Sequence, residues 1–183
     1  MEFFKNFRLA VGKSYVNRRL KKFYRIKKFN SLRNAHKIGI VWDGSNLDSF
    51  NDITKFYLEM QEKGIQVDII CYYPGKVLPN EYTALRYLTC FKKNDLNFFF
   101  IPHIPELDEF MATPYEILID INFNNYFPLY YVSAFSKAEF KIGAGQTINH
   151  NTLDMTIEID NKKDISYYIN QVKHYLEMIN TGV

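Results

Sequence analysis

The chain has 183 residues, of which 47% are hydrophobic and 23% are charged, values typical of a soluble globular protein. This length fits one domain with an added arm, and no apolar run approaches the ~20 residues that a membrane-spanning helix needs. The N-terminal stretch also lacks the apolar core of a signal peptide, so we expect a cytoplasmic protein.

Charge divides the chain into two parts. The first 37 residues carry twelve Lys or Arg and one acidic residue, a net charge of +11, whereas the remainder carries eleven Lys or Arg and nineteen acidic residues, a net charge of −8. We therefore separate a basic helical arm, residues 1–36, from a body, residues 37–183. Such asymmetry indicates an anionic partner for the basic part, or docking of the arm on the acidic body.

Within the arm, the residue pattern predicts an amphipathic helix over residues 16–25. Its apolar side would hold Val16, Leu20, Phe23 and Tyr24, with basic residues on the other side. The cations that we expect to bind an anionic partner are Arg18, Arg19, Lys21, Lys22, Arg25, Lys27 and Lys28.

In the body, strand-like and helix-like segments alternate. Apolar runs of strand length occupy residues 37–43, 66–73, 96–102, 115–123, 139–145 and 154–160. Helical patterns occupy residues 53–63, 81–93, 105–112, 128–137 and 165–179, the last with Asp164 as its N-cap. This alternation predicts a mostly parallel sheet covered on both faces, that is, a three-layer, Rossmann-like α/β domain.

Two cysteines fall in these elements, Cys71 in a predicted strand and Cys90 in a predicted helix. Their spacing is not that of metal ligands, and their apolar neighbours indicate buried thiols in a reducing compartment.

Two carboxylates lie near strand ends, where parallel sheets bind ligands. Asp43 ends the first strand, in VWDGSN, and Asp120 lies in ILIDINF. If the two strands are neighbours, this pair could hold Mg²⁺ and position phosphate chemistry. The alternative is that Asp43 and Asn46 form a turn and cap the helix that follows.

Three resemblances bear on this choice. The string IVWDGSNLDSF resembles the opening motif of NYN/PIN-type ribonucleases, which implies a metal-ligand role for Asp43. Residues 115–145 are similar to the N-terminal half of heptosyltransferase-type GT-B glycosyltransferases. In that family the nucleotide sugar binds mainly the C-terminal half, so the likeness implies a fold and not transferase activity. Across the whole chain, segments such as KGIQVDIICYYP and FPLYYVSAFSKAEFKIGA resemble an uncharacterised Bacteroidetes family with a domain-of-unknown-function label.

RNA is the first partner that fits the basic arm. Lys and Arg neutralise phosphates, and Phe23, Tyr24 and Phe29 could stack on unpaired bases. A basic arm on an acidic body is a common design among ribosome-associated proteins. We therefore interpret the chain as a non-catalytic RNA-binding module, with the ribosome as the favoured target.

Other interpretations stay open. An anionic membrane surface could hold the amphipathic helix, with Phe3, Phe4 and Phe7 inserted beside it. Docking of the arm on the acidic body needs no partner. The enzymatic alternative is a Mg²⁺-dependent nuclease or phosphodiesterase that uses Asp43 and Asp120.

Overall fold

The computed structural model describes residues 2–83, 85–145, 150–159 and 164–178. The strands are β1 (Lys37–Asp43), β2 (Gln66–Tyr73), β3 (Leu88–Lys92), β4 (Ile117–Ile121), β5 (Phe140–Ala144) and β6 (Met155–Ile157). The α-helices are α1 (Glu2–Leu20), α2 (Phe50–Glu62), α3 (Pro105–Ala112), α4 (Phe127–Phe135) and α5 (Ile165–Met178).

The six strands form one parallel sheet in the order β3-β2-β1-β4-β5-β6. Helices α2 and α5 cover one face of the sheet, whereas α1, α3 and α4 cover the other. This is the strand order of the doubly wound Rossmann fold, so the predicted fold class is confirmed.

The alternation of side chains along β1 shows why both faces need cover. Ile38, Ile40 and Trp42 belong to the core under α2 and α5, whereas Val41 belongs to the core under α3 and α4. Because successive side chains of a strand point to opposite faces, an almost entirely apolar strand can be buried only between two layers of helices.

The prediction was wrong between residues 81 and 102. The predicted helix over 81–93 is replaced by a short 3₁₀ turn (Asn80–Tyr82) and β3, so Cys90 lies in a strand. The predicted strand over 96–102 is a loop in which the side-chain oxygen of Asn97 accepts hydrogen bonds from the backbone N–H groups of Phe99 and Ile101, at 2.9 and 3.1 Å. An Asn side chain that satisfies the backbone in this way competes with strand pairing.

The remaining predicted elements of the body are confirmed, with ends that shift by a few residues. Asp164 caps α5 as expected, because its Oδ1 accepts a hydrogen bond of 3.0 Å from the Tyr167 N–H. Two predicted element ends, Asp160 and Ile179, lie outside the described residues.

The N-terminal helix is present but differs from the predicted one. It begins at Glu2 and ends at Leu20, where the predicted helix was to run from residue 16 to residue 25. α1 approaches the loop after β3 closely, since a side chain at Gly12 would overlap the Phe99 carbonyl oxygen. Among the described residues, no helix is long and apolar enough to cross a membrane.

After α1, the arm continues without regular structure along the edge where the strands begin. The Lys28 N–H donates to the Glu139 carbonyl just before β5 (3.2 Å), and the Leu32 N–H donates to the Leu176 carbonyl in α5 (3.4 Å). The arm is therefore packed against the body over most of its length.

Candidate functional site

A crevice of about 650 Å³ opens where β1 and β4 end side by side. The chain leaves β1 with α2 on one face of the sheet and leaves β4 with α4 on the other, which makes this point the topological switch of the fold. In doubly wound sheets, this is the position at which ligands bind.

Asp43 lies at the base of this crevice and is buried. Its carboxylate accepts hydrogen bonds from the Ser45 N–H (3.0 Å) and from the Asn124 amide (2.6 Å). Asn46 accepts from the Asp48 N–H at 3.0 Å and so caps the short 3₁₀ turn that leads into α2. Asp43 therefore stabilises the predicted turn, whereas Asn46 caps the 3₁₀ turn and not α2, whose N-cap residue Ser49 makes no side-chain capping hydrogen bond.

The lining of the crevice is acidic. The carboxylates that line it are Asp43, Asp48, Asp52 and Asp164. No Lys or Arg of the described chain is part of this lining. Among the lining residues that the structure describes, no positive charge offsets these carboxylates, and such a surface repels phosphates,.

Asp120 lies on the strand next to β1, opposite Val41 in the register, as the metal-pair hypothesis requires. It does not line the crevice, and its Oδ1 accepts from the Asn122 N–H at 3.1 Å. Burial raises the pKa of Asp120 to about 6, although the Asn122 N–H and Lys141 act in the opposite direction. Within the described residues, no group of three or more His, Cys, Asp or Glu side chains could hold a metal ion. Binding of Mg²⁺ by Asp43 and Asp120 stays a prediction.

Two of the seven predicted binding cations contact the body through their guanidinium groups, Arg25 with a buried side chain and Arg19 as an exposed residue. The Arg25 side chain is only 6% exposed, and its Nη2 contacts both carboxylate oxygens of Asp154. Its Nη1 donates to the carbonyls of Ala138 (3.1 Å) and Glu139 (2.9 Å). Burial alone would raise the pKa of Asp154, but its hydrogen bonds, above all that from Arg25, lower it. Arg25 is therefore the anchor that fixes the arm to the body.

Arg19 adds a second attachment near the end of α1. Its guanidinium donates to the Tyr131 hydroxyl at 2.8 Å and lies 4.6 Å from the centre of the Phe135 ring. Both contacts are with α4, so Arg19 holds the C-terminal turn of α1 against that helix.

The other five predicted cations extend into solvent together with two aromatic rings. Tyr24 is 82% exposed and Phe29 is 66% exposed, while Phe23 packs against Phe135. Lys27 is exposed although its ammonium lies 3.0 Å from Asp154. We name this surface the arm strip: Arg18, Lys21, Lys22, Tyr24, Lys27, Lys28 and Phe29.

A cleft of about 980 Å³ lies beside the arm strip, between the arm, α4 and residues 151–152. We call it the arm cleft. Its lining includes Lys141, which is only 1% exposed and donates through Nζ to the carbonyls of Ser133 (2.7 Å) and Ala134 (3.1 Å). Burial lowers the pKa of Lys141 to about 7, and Arg25 lowers it further, while Asp154 and Asp120 oppose the change.

Sequence reasoning missed Lys141. Its signal was present in the strand FKIGA, where one lysine stands among apolar residues. A lysine in the middle of a two-sided buried strand must find acceptors inside the protein, and it is therefore a candidate functional residue.

The membrane alternative depends on the first turns of α1, where Phe3, Phe4 and Phe7 are strongly exposed. These rings lie at the N-terminal end of α1, whereas the arm strip begins near the C-terminal end of the same helix.

Comparison with known families places the chain in a family whose function is not known. Residues 8–179 match a family described as a family of unknown function (DUF6913), and the chain therefore belongs to that family. A comparison with curated proteins finds no match.

Proposed function

We propose that this chain, as a member of a family of unknown function, binds single-stranded RNA through its arm strip and does not catalyse a reaction. The observation that carries the proposal is the arm strip itself. Five cations and two exposed aromatic rings lie on a segment whose backbone is fixed to the body.

The chemistry of the strip suits an unpaired nucleic acid. Arg18, Lys21, Lys22 and Lys28 make no ion pair with any described residue, so their charges are available to phosphates. Tyr24 and Phe29 offer aromatic faces on which bases of any sequence can stack. A double helix would leave these rings unused, which is why we favour a single strand.

The anchoring of the strip also favours binding. The Arg25 contacts with Asp154 hold the segment in place before any ligand arrives. A segment that is already ordered loses less conformational entropy on binding than a free tail would. The acidic body limits indiscriminate attraction of polyanions to the rest of the surface.

The ribosome is the RNA target that we favour, with the protein in the cytoplasm, since the arm strip could enter ribosomal RNA while the acidic body stays outside. A Bacteroidetes origin and the local resemblances to glycosyltransferases and ribonucleases stay predictions from the sequence.

The proposal predicts that the strip cations dominate RNA affinity. We would replace Arg18, Lys21, Lys22 and Lys28 with Gln and measure the binding of a fluorescent, unstructured RNA by anisotropy. Each neutralised phosphate contributes roughly fivefold to affinity at 0.1 M salt. Because this strip variant loses four such contacts, we expect it to bind about three orders of magnitude more weakly than the wild type.

The matched control removes one Arg and three Lys elsewhere on the surface. It replaces Arg86, Lys76, Lys93 and Lys137, which are exposed on the body, with Gln. Its affinity should stay within about threefold of the wild type. If both variants lost the same RNA affinity, net charge alone would drive binding. This result would refute the proposal that the arm strip is the RNA-binding surface.

A third variant, Asp43→Asn, separates binding from the enzymatic alternative. RNA affinity should not change, because Asp43 lies in the acidic crevice and outside the arm strip. Mg²⁺-dependent RNA cleavage by the wild type that Asp43→Asn abolishes would instead support the nuclease.

A further inference from the structure

The arm cleft lies next to the arm strip and shares residues with it. Lys21, Tyr24 and Lys27 belong to both, while Tyr130 and Lys141 line the side formed by the body. A volume of about 980 Å³ is at the upper end of what small-molecule sites in proteins occupy,.

Lys141 has an unused hydrogen-bond donor. A lysine ammonium carries three N–H groups, and two of them donate to the Ser133 and Ala134 carbonyls in the last turn of α4. The third has no acceptor among the residues that the structure describes. The ammonium also lies 5.8 Å from the centre of the Phe23 ring, which is a weaker partner than an anion. An anion that enters the cleft could therefore supply the third hydrogen-bond acceptor.

The charges around Lys141 also favour an anion. The basic groups that face it are Arg25 and Lys27, and the acidic groups are Asp120 and Asp154. Asp154 is already engaged by both Arg25 and Lys27, and Asp120 is only 5% exposed. With Lys21 added at the cleft, positive charge exceeds negative charge on this surface.

The cleft has an aromatic component as well. The Tyr24 ring lines the cleft and remains 82% exposed. It can therefore stack on a flat ligand without displacing neighbouring side chains. Tyr130 and Phe23 extend the aromatic lining. The side-chain amides of Asn17 and Asn151, which can both donate and accept hydrogen bonds, complete a set of groups that can recognise a sugar,.

We propose that the arm cleft binds a mononucleotide, with its phosphate monoester near Lys141, Lys21 and Lys27 and its base against Tyr24. The proposal deepens the RNA-binding function and rests on it in one respect, the choice of a nucleotide as the ligand. In the complex with RNA, this ligand is the terminal nucleotide that carries a free phosphate.

The test uses 5′-AMP and adenosine as probes, titrated by calorimetry against the full chain at pH 7. We expect 5′-AMP to bind at least tenfold more tightly than adenosine, because only the nucleotide carries the phosphate. Lys141→Met should reduce 5′-AMP affinity by tenfold or more. Affinity should also fall between pH 7 and 9, as Lys141 loses its proton.

Lys141→Met could fail to fold because Lys141 is buried, so we add Tyr24→Ala as a second variant. The exposed Tyr24 ring contributes little to the core, and its removal should leave the fold intact. It should weaken 5′-AMP binding several-fold and leave circular dichroism unchanged. Equal binding of 5′-AMP and adenosine would overturn the proposal, as would no binding of 5′-AMP at millimolar concentration. Wild-type affinity for 5′-AMP in both variants would overturn it too.

Measurement of RNA binding by the same proteins keeps the two proposals distinct. If 5′-AMP binds and RNA does not, the proposal of a nucleotide site in the arm cleft is supported, and the proposal of RNA binding by the arm strip fails. If RNA binds and 5′-AMP does not, the cleft proposal alone fails.

Discussion

At the residue scale, two buried cations decide how the arm and the cleft are built. Arg25 joins the arm to Asp154, and both side chains are less than a tenth exposed. Removal of one partner from such a buried pair destabilises a protein by about 3–5 kcal/mol, since the other charge is left without compensation. Lys141 lies nearby and caps the carbonyls at the end of α4, where a positive charge is favoured by the helix dipole,.

The pKa of Lys141 leads to a prediction about pH and stability. Its pKa is about 7 in the folded chain and 10.5 in its ordinary state. Between these values the unfolded chain binds a proton that the folded chain lacks, so the free energy of unfolding increases with pH by at most about 1.4 kcal/mol per unit. Urea unfolding of the wild type and of Lys141→Met at pH 6 to 9 should show the wild type gaining stability relative to the variant above pH 7.

Asp120 changes the free energy of unfolding with pH in the opposite direction to Lys141, and over a lower pH range. Its pKa is raised from 3.8 to about 6, so the folded chain binds the extra proton and stability from this group falls as pH rises between those values. The Lys141 comparison is therefore made above pH 6. A stability difference that does not change from pH 7 to 9 would contradict the lowered pKa of Lys141.

The sequence predicted seven binding cations in the arm, but it could not show which of them are buried and which are exposed. Arg25 and Lys27 are two residues apart, yet one is buried and the other exposed. Both contact Asp154, but Arg25 also donates to the carbonyls of Ala138 and Glu139, which lie 113 and 114 residues away in the chain. A single sequence does not show which residues meet over such a separation.

At the element scale, β3 and the loop after it carry the main surprise of the fold. Phe91 in β3 is fully buried under α3 and α4, whereas Phe98 in the loop is 61% exposed and stacks on Arg8 at 4.2 Å. The same residue type therefore occupies opposite environments seven positions apart.

This difference predicts two unequal effects. Phe91→Ala should lower the free energy of unfolding by about 3–5 kcal/mol, because it leaves a cavity in the core. Phe98→Ala should lower it by no more than about 1 kcal/mol, mainly through the lost contact with Arg8. Chemical denaturation of the two variants is the measurement, and a larger loss for Phe98→Ala would mean that the loop is the third strand after all.

The other elements could be predicted because each has a clear period. In α5, apolar residues recur at spacings of three and four, and in β1 almost every residue is apolar. In contrast, β3 has only five residues and includes Thr89 and Lys92, so the more apolar LNFFFIP was a better match to a buried strand. The Asn97 side chain, which turns that segment into a loop, acts through hydrogen bonds that apolar content does not reveal.

At the scale of the whole molecule, charge separates two surfaces. The crevice at the topological switch is lined by four carboxylates, whereas the arm strip and the arm cleft carry the cations. The Rossmann strand order would place a ligand in the crevice, whereas our proposal assigns the polyanion to the basic surface of the arm. The sequence already indicated this separation, since the first 37 residues carry a net charge of +11 and the remainder −8, although only the fold shows where the two surfaces lie.

The most direct test of the account is the salt dependence of RNA affinity. We would measure the affinity of the wild type, the strip variant and the body control for the same unstructured RNA between 50 and 300 mM salt. Five contacts to single-stranded phosphates predict a slope of about −3.5 for the logarithm of affinity against the logarithm of salt concentration. With only Lys27 left, the strip variant should have a slope near about −0.7, and the body control should match the wild type. A wild-type slope near zero, or the same slope in the strip variant as in the wild type, would contradict RNA binding through the arm strip.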